Sequence, residues 1–171
     1  QPSPFKALAL GKFKQNTSCV CNDPIHRHHC AHLGFPHPAA RLAAFKVYGK
    51  PSLAAALSRP VLKDIGDIAT REQFDLIHVF RGYLAGVAEA TPAGTPLSID
   101  LDEDDRASWQ SQAAEHERRG NTTTGAWAQA EAEASARNLE SWAGRYVASF
   151  AASREDARQL SLRHDGLACT D

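Results

Sequence analysis

The chain has 171 residues, of which 43% are hydrophobic and 23% charged, and its 19 Lys and Arg nearly balance 20 Asp and Glu. This composition is typical of one soluble globular domain and excludes a disordered tail, a collagen-like fibre and a coiled coil. No stretch reaches the roughly 18 uninterrupted apolar residues of a membrane-spanning helix, and the N-terminus lacks a signal-peptide core. We therefore expect a cytoplasmic protein. The chain contains no Met and begins at Gln1, which suggests a fragment of a longer protein.

The charge is distributed unevenly along the chain. Residues 1–90 carry 11 Lys and Arg against six Asp and Glu, whereas residues 91–171 carry eight Arg, no Lys and 14 Asp and Glu. The basic half has no run of Lys or Arg with interleaved aromatic residues, which a surface that tracks a phosphate backbone would have. We do not expect a nucleic-acid partner.

A segment at residues 19–37 is rich in Cys and His. Thiolate and imidazole are the ligands that zinc prefers. The candidate ligands are Cys19, Cys21, His26 and Cys30. The Cys-x-Cys spacing does not match the strong zinc signatures, so we predict a polar loop without metal and keep a zinc-binding module as an alternative. A disulfide is not expected in a cytoplasmic protein.

The N-terminal part of the chain gives weak structural signals. A short buried strand is predicted at residues 5–10, followed by the Cys/His loop. Two Ala-rich helices with Pro near their first turn are predicted at residues 37–49 and 51–59. We expect these helices to lie outside the main core.

From residue 74 the pattern becomes regular. Residues 74–80 form an apolar run of strand length, residues 83–90 have helical character, and residues 96–101 form a second strand. Two strands one helix apart match a β-α-β unit, so we predict a parallel pair with a right-handed connection.

Two helices are predicted next, at residues 106–119 and 124–143. The second of them has one apolar face, formed by Trp127, Ala130, Ala134 and Trp142. Its residues predicted to face solvent are Glu131, Glu133 and Arg137.

A third strand is predicted at residues 145–151. Ser153 and Asp156 form a variant capping box for a helix that ends near Arg163, and a further strand begins at Leu167. The alternation of strands and helices predicts an α/β domain over residues 1–171, incomplete at both ends. Its fold class is a Rossmann-like open parallel sheet, doubly wound and flanked by helices.

In such a sheet, ligands bind at the carboxyl ends of the strands. The residues at these ends are His78, Arg81, Gly82, Tyr83, Asp100, Asp102 and Ser153. Arg81 beside a Gly suits an anion, and pairing with the nearby acidic segment is the alternative. His78 is a candidate catalytic residue because of its place near a strand end, although a buried structural His would look the same.

The acidic run at residues 100–105 supports two interpretations. Asp-x-Asp at a strand end can hold Mg²⁺ or Mn²⁺ against a phosphate, which predicts a metal-dependent phosphoryl or sugar-nucleotide enzyme. Asp104 and Asp105 are expected to cap the following helix. Asp100 and Asp102 are then the two acidic residues that are free to bind a ligand.

Three segments occur in a specific order: FDLIHVFRGYLA at residues 74–85, IDLDEDD at residues 99–105 and FAASREDARQL at residues 150–160. Together they resemble the amino-terminal domain of bacterial family 4 glycosyltransferases of the GT-B fold, particularly the sugar transferases of exopolysaccharide clusters. The resemblance covers residues 74–171, and residues 1–73 match no family.

The resemblance implies half of a GT-B architecture, namely the acceptor-binding domain of a retaining glycosyltransferase. Such an enzyme transfers a sugar from a nucleotide-sugar donor, in polysaccharide or glycoconjugate synthesis, and requires no metal or other cofactor. The implied partners are a sugar or lipid-linked acceptor, which would bring the domain to the inner membrane surface, and a C-terminal donor domain without which the fragment is inactive.

The resemblance carries over His78 and Asp102 as catalytic candidates, and Arg81, Asp100 and Ser153 as residues that line the crevice. The chain departs from the family in three ways. It lacks the paired Glu-x7-Glu motif, it has no Gly-rich loop after its first strand, and Asp102 stands near the position at which many relatives have a His.

Overall fold

The computed structural model describes residues 5–11, 26–32, 37–164 and 169–170. The strands are β1 (Phe5–Gly11), β2 (His26–His32), β3 (Leu76–Phe80), β4 (Leu97–Asp100), β5 (Ala148–Phe150) and β6 (Cys169–Thr170). They form one sheet in the order β2-β1-β3-β4-β5-β6, and every neighbouring pair is parallel. The predicted α/β class with a Rossmann-like open parallel sheet is confirmed.

Five α-helices and three short 3-10 helices accompany the sheet in the described residues. The α-helices are α1 (Pro38–Tyr48), α2 (Arg59–Glu72), α3 (Asp105–Arg118), α4 (Thr122–Trp142) and α5 (Arg154–Arg163). The 3-10 helices are Ser52–Ala56, Gly82–Glu89 and Ala143–Arg145. None of these helices is both long enough and apolar enough to cross a lipid bilayer.

Two predictions about these elements are wrong. The Cys/His segment is not entirely a loop, because residues 26–32 pair with β1 along the whole of β2. Their polar side chains show no apolar alternation, so only the backbone pairing reveals the strand. The second predicted Ala-rich helix, at residues 51–59, is only a 3-10 turn. Pro60 lies instead in the first turn of α2, where its missing N–H leaves no helical hydrogen bond unmade. The helical character predicted at residues 83–90 is confirmed, as the 3-10 helix Gly82–Glu89.

The hydrophobic core lies on one face of the sheet. Cross-strand partners such as Leu8 with Ile77 and Val79 with Ile99 bring buried side chains side by side. Helices α2, α4 and α5 and the 3-10 helix Gly82–Glu89 pack their apolar residues on this same face. The chain advances in one direction across the sheet from β2 to β6, so right-handed connections place these helices on one side.

The opposite face is less covered by the described residues. His78 and Phe80 are half-buried there, and Phe150 is 39% exposed. The imidazole ring packs edge-on against Phe80, with a centroid distance of 4.4 Å.

Helix α3 begins at a buried acidic cap. Asp104 is 6% exposed, and its Oδ1 accepts the N–H groups of Arg106 at 3.0 Å and Ala107 at 3.2 Å. Its Oδ2 pairs with the guanidinium of Arg163 at the end of α5. The predicted cap is confirmed for Asp104, whereas Asp105 is already the first residue of the helix.

We expect Asp104→Ala to lower the free energy of unfolding by about 2 kcal/mol, because two helical N–H groups and Arg163 lose an acceptor. Asp104→Asn keeps an oxygen for the cap and should cost roughly half as much. Urea unfolding of the two variants measures both effects. Equal losses would show that the cap itself contributes nothing.

Candidate functional site

The carboxyl ends of β3, β4 and β5 are joined by backbone hydrogen bonds. Arg81 N–H donates to the carbonyl of Asp100 at 2.7 Å, and Leu101 N–H donates to that of Phe150 at 2.9 Å. Ala152 N–H donates to the carbonyl of Asp102 at 2.9 Å. The strands within the three segments that resemble family 4 glycosyltransferases therefore end side by side, at one edge of the sheet.

This edge includes the point, between β1 and β3, at which the order of successive strands across the sheet reverses. β1 is followed by β2 on one side and flanked by β3 on the other. In open parallel sheets, ligands bind outside the carboxyl ends of the strands at such a point. Arg81, the residue directly after β3, occupies this position.

The backbone of Arg81 is strained. Its φ is 89° and its ψ is 134°, a region that residues with a Cβ seldom adopt. The guanidinium contacts Asp102 Oδ2 at 2.8 Å and Glu103 Oε1 at 3.6 Å. Pairing with the acidic segment, the alternative considered for Arg81, is what the structure shows.

A cleft of about 290 Å³ opens beside Arg81. Its lining combines two aromatic side chains with hydrogen-bonding groups from α3 and α4. The described residues that line it are Pro51, Leu53, Arg81, Tyr83, Glu103, Asp105, Ser108, Trp109, Gln112, Glu131 and Ser135. Ligand pockets in proteins start at about this size.

Gly82 lets a carboxyl group approach the backbone at the cleft. A Cβ on Gly82 would lie 3.0 Å from Asp105 Oδ2. Burial and, to a smaller extent, the charge of Glu103 raise the pKa of Asp105 to about 7, while Arg81 opposes the shift. Tyr83 lies next to Gly82, and burial raises the pKa of its hydroxyl as well.

Glu131 of α4 contradicts its prediction as a solvent-facing residue. It is 1% exposed, and its Oε2 accepts the N–H of Ser52 at 3.0 Å. Its Oε1 is buried as well and has no hydrogen-bond partner among the described residues, although other atoms of Glu131 contribute to the cleft lining.

The sequence contained a signal for Glu131. The buried residues Ala128, Ala132, Ser135 and Leu139 recur at helical spacing, and Glu131 lies on the same face. Because Glu is normally exposed, the residue type alone predicts that Glu131 faces solvent. The cleft residues of α3 follow the same period, at positions 105, 108, 109 and 112.

His78 and Asp100 lie apart from the cleft lining. His78 Nδ1 is 2.7 Å from Ser98 Oγ, and burial lowers the pKa of the imidazole, while Asp100 opposes that shift. Asp100 Oδ1 accepts the N–H of Asp102 at 2.9 Å. Asp102 is exposed and adopts a left-handed φ of 60°.

Ser153 is a helix cap. Its Oγ accepts the N–H of Asp156 at 3.1 Å and lies 2.7 Å from the Asp156 carboxylate. The capping box is confirmed, and Ser153 does not line the cleft.

The metal candidates are only partly placed. Cys19 and Cys21 lie outside the described residues, and His26 and Cys30 are paired through their backbones with Phe5 and Ala9 of β1. Within the described part of the chain, no three His, Cys, Asp or Glu side chains come together in a way that could hold a metal ion.

The chain was compared with protein-family models, curated proteins and solved structures. None of the three comparisons found a match. The cleft and the strand ends are therefore the features that bear on the function.

The strain at Arg81 can be measured with two substitutions. We expect Arg81→Gly to be more stable than Arg81→Ala by about 1 kcal/mol, because only Gly adopts this φ without steric cost. In helix α2, Arg71→Gly should instead be less stable than Arg71→Ala by about 1 kcal/mol. Urea unfolding compares the four variants. The same sign at both positions would contradict the strain at Arg81.

The raised pKa of Asp105 predicts a pH-dependent stability. Since the folded state holds a proton that the unfolded state releases above about pH 4, stability falls as the pH rises from about 4 to about 7. Asp105→Asn removes this loss. We expect the variant to match wild type near pH 4 and to exceed it by roughly 1 to 3 kcal/mol at pH 8. Urea unfolding at both pH values tests this, and an equal difference at the two would contradict it.

Proposed function

We propose that this chain is the acceptor-binding domain of a retaining glycosyltransferase that takes its sugar from a nucleotide-sugar donor. The observation that carries the proposal is the convergence of three sequence segments on one edge of a parallel sheet, beside a cleft. The segments resemble the family in their residues, their order and their spacing. Their strand ends are joined by the hydrogen bonds of Arg81, Leu101 and Ala152.

The chemistry of the cleft supports a sugar as ligand. Carboxylate and amide oxygens from Glu103 and Gln112 can accept hydrogen bonds from hydroxyl groups. Trp109 and Tyr83 offer flat apolar surfaces on which the C–H face of a sugar ring can lie. Such a mixture of a few polar groups and aromatic walls is typical of a small-molecule site.

The proposed enzyme divides its tasks between two domains. This domain would hold the acceptor at the carboxyl ends of its strands, and a second domain would hold the nucleotide. Arg81 and Asp102 lie at the rim, where the donor sugar would meet the acceptor. If the acceptor carries a lipid, this domain would also contact the membrane surface.

The metal-dependent alternative receives less support from the geometry. Asp100 Oδ1 already accepts the N–H of Asp102, and Asp102 Oδ2 already pairs with Arg81. The Asp-x-Asp carboxylates are thus engaged within the loop.

We expect neutral sugars to bind to the cleft with a Kd on the order of 1 mM, as the size of a single sugar ring allows. The test is a titration of ¹⁵N-labelled protein with glucose, galactose, mannose and cellobiose. The Trp109 indole signal should shift. Trp127, which packs on Phe45, and Trp142 are internal references.

The same titration with UDP-glucose, with and without MgCl₂, separates the hypotheses. The proposal expects no Mg²⁺ effect on UDP-glucose binding to this domain. Binding that requires Mg²⁺ would favour the metal-dependent enzyme. The absence of a Trp109 shift with every sugar would overturn the acceptor-domain proposal.

A further inference from the structure

Asp105 is the carboxyl group of the cleft lining that has no ion-pair partner within the described residues. Its side chain is partly exposed and borders the cleft. Neither of its oxygens makes a hydrogen bond to a described residue, and neither belongs to the described polar atoms that are both unpartnered and sealed from solvent. Both oxygens therefore keep accessible surface, which a ligand donor can reach.

The space beside Asp105 that can hold a ligand is the cleft. Asp105 also borders a cavity of about 10 Å³, which has room for no more than one water molecule. The cleft itself measures about 290 Å³. A ligand that contacts Asp105 therefore comes from the cleft.

The buried carboxyl groups near the cleft have partners of their own. Glu131 Oε2 accepts the N–H of Ser52 at 3.0 Å, and Arg41 Nη2 donates to the Oγ of the same serine at 3.4 Å. Asp104 caps helix α3 and pairs with Arg163. Neither guanidinium group is among the charges that shift the pKa of the carboxyl group at position 105.

The carboxylates at the rim share one cation. The guanidinium of Arg81 lies 2.8 Å from Asp102 Oδ2 and 3.6 Å from Glu103 Oε1. Its charge lowers the pKa of Asp105, but burial and the charge of Glu103 outweigh it. An ionised Asp105 therefore leaves the cleft with a negative charge that no described cation contacts.

An aromatic wall lies beside this charge. Asp105 and Trp109 are one helical turn apart on α3, so their side chains are neighbours on one face of the helix, and both line the cleft. A sugar ring that lies on the Trp109 indole thus brings an exocyclic substituent within reach of the carboxylate. The indole also favours a cation near its face.

We infer that the cleft prefers an amino sugar and that Asp105 determines this preference by pairing with the protonated primary amine of the ligand. The inference rests on the proposed function and specifies its acceptor class. A hydrogen bond between an ammonium group and a carboxylate is roughly twice as strong as one between neutral groups. A neutral sugar of the same shape makes only the weaker contact.

The protonation of Asp105 makes this preference depend on pH. Burial and, to a smaller extent, Glu103 raise its pKa to about 7. Below that pH the carboxyl group is neutral and attracts no ammonium group, whereas an alkylamine, like that of Lys, stays protonated beyond pH 8. The preference is therefore present near pH 8 and lost near pH 5. The titratable and charged groups that face Asp105 are Arg81, Asp102, Glu103, Asp104, Tyr83, Arg106, Glu131 and His164.

The experiment follows the Trp109 indole signal of ¹⁵N-labelled protein during titration with two sugar pairs. They are glucose against 6-amino-6-deoxyglucose and galactose against 6-amino-6-deoxygalactose, in which the amine turns about the exocyclic bond. At pH 8 each amine should bind about tenfold more tightly than its parent sugar. At pH 5 the members of a pair should differ by less than about twofold, because Asp105 is then protonated.

The substitution Asp105→Asn removes the charge and keeps the size of the side chain. In this variant the ratio of the two affinities should fall to about one at pH 8 and should no longer change with pH. Asp64→Asn makes the same charge change at an exposed position of α2 outside the cleft lining and should keep the wild-type ratios. The wild-type pH profile tests the inference by itself if Asp105→Asn does not fold.

The two levels of the proposal fail in different ways. If wild type binds amine and parent sugar equally at pH 8, or if the preference persists at pH 5 or in Asp105→Asn, the inference is overturned and the acceptor domain stands. If no sugar of either pair shifts the Trp109 signal at either pH, the proposed function falls with it.

Discussion

The site depends on the hydrogen bond from Arg81 N–H to the carbonyl of Asp100, the last residue of β4, which continues the pairing of β3 with β4 one residue beyond the end of β3. Immediately after this hydrogen bond, Arg81 adopts a φ of 89°. The chain then turns at once into the 3-10 helix, and the guanidinium is left at the rim beside Asp102. Strain of this kind persists only where the surrounding structure enforces it, and it is concentrated at functional sites.

The cleft joins parts of the chain that are far apart in sequence. One wall comes from Pro51 and Leu53, and another from α3 and α4. The buried carboxylate of Glu131 connects them through Ser52. Three carboxyl groups line the cleft together with one arginine, and burial, with a smaller contribution from Glu103, raises the pKa of Asp105. Its exchangeable proton would keep the cleft less negative near neutral pH.

Local signals predicted much of this fold. The apolar strands β3 and β4 and the caps at Asp104 and Ser153 depend on neighbouring residues, so the sequence predicts them well. β2 has no such signal, since only its pairing with β1 makes it a strand. The rim residues were predicted from strand ends, but the cleft wall was missed. Glu131 is buried by tertiary contacts that override its residue type, and its helical spacing was the only clue.

The interior position of β1 has a consequence for how the chain is made. β1 leaves the ribosome before β3, one of its two neighbours in the sheet, which begins only at Leu76. Two further hydrogen bonds, from Asp75 N–H to the Lys6 carbonyl and from Lys6 N–H to the Asp75 carboxylate, likewise form only after Asp75 is made. Contacts of such long sequence separation form slowly. Until they form, the inner edge of β1 is an unpaired strand that other chains can occupy. During synthesis, therefore, β1 needs chaperone protection against pairing with other chains until β3 is made.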